Sequence, residues 1–124
     1  MQSKYLILYV GSKESSAGLE ERLGILYRVE PRANSMELLG SLSGMDQSPN
    51  MIICDTVTLW LEFDSYTEFV DLARDGNPNL PIILLDNTRS GVILASFGSN
   101  VWYLVSNEID TLVKHVTDVF ATKH

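Results

Sequence analysis

A chain of 124 residues with 45% apolar content has the length of one domain and enough apolar side chain for a core, without the excess of a membrane protein. Nine Lys and Arg against sixteen Asp and Glu give a formal charge of −7, the opposite of the balance needed to neutralise phosphates, which argues against direct nucleic-acid binding. The run Tyr5–Val10 is too short to span a bilayer and lacks the flanks of a secretory signal, while the one cysteine, Cys54, has no partner for a disulfide or a Cys-x-x-Cys zinc site. The expectation is a cytoplasmic protein with no membrane association, in which Cys54 fills core.

In chain order, Tyr5–Val10 is a continuous apolar run ending at Gly11, the pattern of a strand buried on both faces. Ser15 and Ser16 can cap a helix with Leu19, Leu23 and Leu26 at helical spacing. A shorter strand over Tyr27–Glu30 stops at Pro31, and Asn34 or Ser35 can cap a second helix carrying Met36, Leu38, Leu39 and Leu42. A polar loop over 44–50 leads to the strand Met51–Cys54, which ends at Asp55. A helix from about Ser65 places Tyr66, Phe69, Val70, Leu72 and Ala73 on one side and ends at Gly76, Asn77 and Pro78. Pro81–Leu85 forms a fourth strand stopping at Asp86, and a short helix is expected over Gly91–Phe97 despite the β-branched Val92 and Ile93. Val101–Val105 is the fifth strand, and Ile109–Phe120 is a final amphipathic helix with Leu112, Val113, Val116, Val119 and Phe120 inward.

Strands alternating with helices imply right-handed crossovers and parallel pairing. The expected fold is α/β: a single domain over 1–124 with a doubly wound five-stranded parallel sheet, flavodoxin-like, in the order 2-1-3-4-5 with helices on both faces. Chemistry in such sheets gathers outside the carboxyl ends of the strands. Those ends are Val10, Gly11 and Ser12 after the first strand, Asp55 after the third, Asp86 after the fourth and Ser106 after the fifth.

From Lys4 to about Phe120 this order of elements, with Asp55 ending the third strand, resembles the receiver domain of two-component response regulators. The resemblance implies a phospho-accepting aspartate at Asp55, phosphorylated by a histidine kinase with Mg²⁺. It also implies partners for that aspartate which this chain lacks. An acidic pair is matched by Val10 and Gly11, with Ser12 next and Glu14 farther into the loop. A Thr or Ser is matched by Asp86, a Lys by Ser106 with Asn107 following, and a Pro-Gly by Leu59 and Trp60. A hard cation wants several oxygen donors and a phosphoryl group wants cations or hydroxyls, so these departures describe a pseudo-receiver without bound metal or cofactor. Degenerate receivers of this kind stand at the front of some bacterial enhancer-binding transcription regulators.

Three readings of Asp55 remain at this level: a phosphate acceptor, a strand-end carboxylate bonded to backbone N–H groups, or half of a carboxylate pair with Asp86. The loop from Gly11 to Ser16, with Lys13, has the composition of an anion-binding turn but not the spacing of a nucleotide fingerprint. His115 and His124 are expected at the surface, and no catalytic triad is arranged around them. Trp60 and Trp102 are expected in core or rim packing. The apolar stretch 92–97 followed by Val101–Tyr103 points to a homodimer or partner surface using Phe97, Trp102 and Tyr103. The composite expectation is a non-enzymatic regulatory module acting by dimerisation or docking to a protein partner or attached domain. The alternatives are a receiver that uses Asp55 by an atypical route, and a small ligand-binding domain.

Overall fold

The computed structural model describes residues 5–11, 13–44, 48–86, 93–96, 98–106 and 108–121. Its elements run β1 (Leu6–Val10), α1 (Lys13–Leu23), β2 (Arg28–Arg32), α2 (Ser35–Leu42), β3 (Met51–Asp55), α3 (Thr56–Glu62), α4 (Tyr66–Ala73), β4 (Ile82–Asp86), β5 (Ile93–Ser96), β6 (Val101–Val105) and α5 (Ile109–Ala121). The sheet order is β2-β1-β3-β4-β6-β5. Pairing is parallel from β2 through β6, and β5 joins the edge antiparallel to β6.

The three central strands are buried at every position because they have covered faces on both sides. Alternate residues feed two separate cores. Leu6, Leu8, Val10, Ile52, Cys54, Ile82 and Leu84 face α2, α3 and α4, where Leu38, Leu59 and Phe69 close over them. Ile7, Tyr9, Met51, Ile53, Ile83 and Leu85 face α1 and α5, meeting Leu19, Leu23, Leu112, Val116 and Phe120. Phe120 stacks on Tyr5 at 4.5 Å and tilts against Tyr27 at 4.9 Å, fastening the end of α5 to the start of β1.

The structure departs from the sequence expectation at several places. Residues 93–96, expected in a short helix, form a strand: Ile93 pairs with Val105 and Ser96 with Trp102, giving the sheet a sixth member. Its β-branched start disfavours helix, and the intervening turn uses positive φ at Gly98 and Asn100. The rest of that expected helix, Gly91, Val92 and Phe97, lies outside the described residues. Between Asp55 and Ser65 stands a helix that the sequence reading lacks, α3, separate from α4. β2 continues through Pro31 because it is an edge strand, where a missing donor on the open side costs no ladder bond.

Other differences concern single residues. α1 begins at Lys13, so Ser15 and Ser16 lie inside its first turn, and it stops at Leu23, leaving Leu26 exposed. Leu72 is likewise exposed, and Trp60 stands 66% in solvent rather than in a core. His115 is not a surface residue: it is half-buried edge-on to Trp102 at 5.0 Å, and its Nε2 has no hydrogen-bond partner among the described residues. Burial holds its pKa below the usual 6.5, against the pull of Asp118.

Candidate functional site

The strand order turns back between β1 and β3, so the crevice at the topological switch point lies outside Val10–Gly11 and Asp55. Asp55 closes β3 and starts α3 in one step. Its backbone is extended, and Oδ1 accepts a hydrogen bond from the N–H of Val57 at 2.9 Å as the N-cap. Only 6% of Asp55 is exposed. Burial pushes its pKa above the ordinary 3.8 and the charge of Asp86 adds to the rise, while the Val57 N–H opposes it. The backbone-bonded and carboxylate-pair readings of Asp55 therefore describe the same residue.

Asp86 ends the adjacent strand β4 and is 5% exposed. Its Oδ2 accepts from the Tyr103 hydroxyl of β6 at 3.3 Å. The Tyr103 phenol is itself pushed up to about 12, by burial first and then by Tyr66 and Asp86, so it remains a donor. Ser106, at the end of β6, is buried. Its N–H bonds the Asp86 carbonyl at 3.0 Å, and its Oγ accepts from the Glu108 N–H at 3.1 Å to open α5. Ser106 is thus committed to joining β6 to α5.

At the end of β1, Val10 is fully buried in the helical core, and Gly11 lies over the Tyr9 ring, whose hydroxyl occupies the space that a Cβ on Gly11 would need. Ser12 and the side chains of Lys13, Glu14, Ser15 and Ser16 lie outside the described residues, as do Phe97 and Asn107. Trp102 and Tyr103 are half-buried, packed on His115 and on Tyr66 respectively. The exposed large apolar groups of this edge are instead Ile93 and Leu94 of β5.

Cys54 is fully buried, and desolvation with the neighbouring Asp55 and Glu62 raises its thiol far above the usual value, which makes it an inert core residue as the sequence suggests. A cleft of about 280 Å³ lined by Leu39, Leu42, Leu72, Asn77 and Leu80 lies at the opposite, amino edge of the sheet, away from both aspartates.

No protein-family model and no curated protein sequence matches the chain. Solved structures do match it. The receiver domain of hybrid histidine kinase CckA superposes with a TM-score of 0.69 and 17% identity over 91% of this chain and 96% of that one. A CheY-like response regulator receiver protein from Methanospirillum hungatei gives 0.68 and 19% over 94% and 93%. The fold is that of receiver domains. Part of the lysine decarboxylase LdcF of Francisella novicida also superposes on the chain, with a TM-score of 0.60, 16% identity, and coverage of 98% of this chain but 18% of that one.

The receiver fold implies Mg²⁺ beside the aspartate, and the residues present do not fit it. Among the described residues no three His, Cys, Asp or Glu side chains converge on a metal position. Asp55 and Asp86 each have an oxygen engaged by a protein donor, and among the described residues the end of β1 brings no carboxylate beside them, only Val10 and Gly11.

Proposed function

We propose that the chain is a regulatory interaction module: a receiver fold that acts by docking to a partner or an attached domain, independently of aspartyl phosphorylation and without catalysis of its own. One observation supports this reading above the others. The carboxyl edge that holds the reactive aspartate in receivers is here used for structure, with Asp55 capping α3, Asp86 held by Tyr103 and Ser106 opening α5. The neighbouring structures that are receivers support a signalling role, and a cytoplasmic location and control of an attached transcription-factor domain fit such a module. The β5–β6 edge, with Ile93 and Leu94 exposed beside Trp102 and Tyr103, suits a homodimer contact.

Incubation with acetyl phosphate and Mg²⁺, followed by intact-mass measurement, tests the central point. The expected result is an unchanged mass. A gain of one phosphoryl group that disappears in Asp55→Ala would establish the phospho-accepting reading instead.

A further inference from the structure

α3 has two apolar faces. Thr56, Leu59 and Phe63 turn inward and are buried, as the helix needs to join the core. Val57, Trp60 and Leu61 fall at i, i+3 and i+4, one stripe on the opposite side, and are 49%, 66% and 82% exposed. Met36 of α2, a helix that packs beside α3, adds a fourth large exposed apolar side chain to this layer. At the end of the stripe a pocket of about 220 Å³ is lined by Trp60, Phe63, Asp64, Ser65, Tyr66 and Thr67, with Trp60 and Tyr66 edge to face at 5.7 Å. Aromatic walls with a carboxylate at the rim are the chemistry that holds an ammonium or guanidinium group.

The charge around this surface narrows the occupant. Between Ala33 and Ala73, the segment that builds α2, α3 and α4, there are seven carboxylates and no Lys, Arg or His. The rest of the chain carries nine acidic and nine basic side chains. The segment that builds this layer therefore carries a charge equal to the whole formal −7, bordered by Arg32, which bonds Ser41 of α2, and by Arg74 at the end of α4. A second copy docking through the same face would set this layer against itself, and anionic lipid or nucleic acid would be repelled in the same way. A cationic partner is matched in both charge and apolarity.

We propose that the outer face of α3 and its adjoining aromatic pocket form a docking site for a cationic amphipathic segment of a partner protein, one of whose Arg or Lys side chains enters the pocket at Trp60, Phe63 and Tyr66 beside Asp64. The site lies on α2–α4 and adjoins the β5–β6 edge where Tyr66 packs on Tyr103, but its chemistry requires neither homodimerisation nor phosphorylation of Asp55.

The test is fluorescence-anisotropy titration of the full chain against a labelled amphipathic peptide of Leu and Arg, with a counterpart bearing Glu in place of Arg and with phosphatidylserine vesicles. The Leu–Arg peptide binds and the other two probes do not. Trp60→Ala and Leu61→Ser, both at exposed positions that leave the fold intact, each weaken binding about tenfold, the range expected for an exposed anchor. Asp64→Asn weakens it more than Asp118→Asn on α5, which removes the same charge elsewhere. Equal losses from the two Asp→Asn variants, unchanged affinity in Trp60→Ala, preferential vesicle binding or no peptide binding would each overturn the proposal. Failure here would leave the mass measurement of Asp55 unaffected, and the reverse also holds.

Discussion

Asp55 carries opposing demands. Its carboxylate is a good cap for α3, yet it is buried and faces Asp86, so ionisation costs more in the folded protein than in the unfolded chain. An asparagine keeps the Oδ1 acceptor and removes the charge. Asp55→Asn is therefore expected to raise stability at pH 7, whereas Asp55→Ala, which loses the cap, lowers it by about 1 kcal/mol. The sign of the pH dependence follows from the raised folded pKa. The unfolded chain releases the proton first as pH climbs past 3.8, so the cost of Asp55 grows through that region and persists at neutral pH. Urea unfolding at pH 7 and near pH 4 checks this: the advantage of Asn over Asp shrinks at the lower pH. The position of Asp55 is legible in the sequence, because a carboxylate ends an apolar run. Its partners are not, since Val57 belongs to an unforeseen helix and Tyr103, which holds Asp86, stands on a distant strand.

Elements were legible to the extent that one face was buried. Four of the five parallel strands announce themselves as apolar runs closed by Gly, Asp or Ser, whereas β2, with Arg28, Glu30 and Arg32, does not. α3 hides because Thr56–Glu62 is apolar on two sides, which blurs its helical period. β5 hides because all four of its residues are exposed and leave no alternation to read. The last residue of α3 makes a further link that sequence spacing does not suggest. Glu62 accepts hydrogen bonds from the N–H groups of Ser35 and Met36, at 3.0 and 3.1 Å, while Asn34 takes that of Glu37. The carboxylate of one helix thus satisfies the first turn of another and sits favourably at its positive end. Glu62→Ala is expected to destabilise the fold by about 1–2 kcal/mol. Faster amide exchange at Ser35 and Met36 would separate this loss from a general one.

Across the whole molecule, charge is unevenly spread along the chain, with residues 33–73 carrying seven carboxylates and no Lys, Arg or His. The α1–α5 side includes the ion pair between Arg22 and Asp110, whereas the segment forming α2–α4 has cations only at its borders, Arg32 and Arg74. Repulsion within that layer opposes folding and is screened over about 10 Å at 0.1 M salt. Raising NaCl from low concentration to 0.5 M is accordingly expected to raise the melting temperature, a result that scanning fluorimetry can check and that a protein held by surface ion pairs would not give. The close fit of Gly11 over Tyr9 restricts what the end of β1 can carry. A carboxylate cannot be placed after β1 by substitution at position 11 alone. A side chain at position 11 would have to displace the ring of a fully buried tyrosine, so that accommodating one requires rebuilding the core beneath it. Position 11 is thus closed to a carboxylate from the core side and not from solvent.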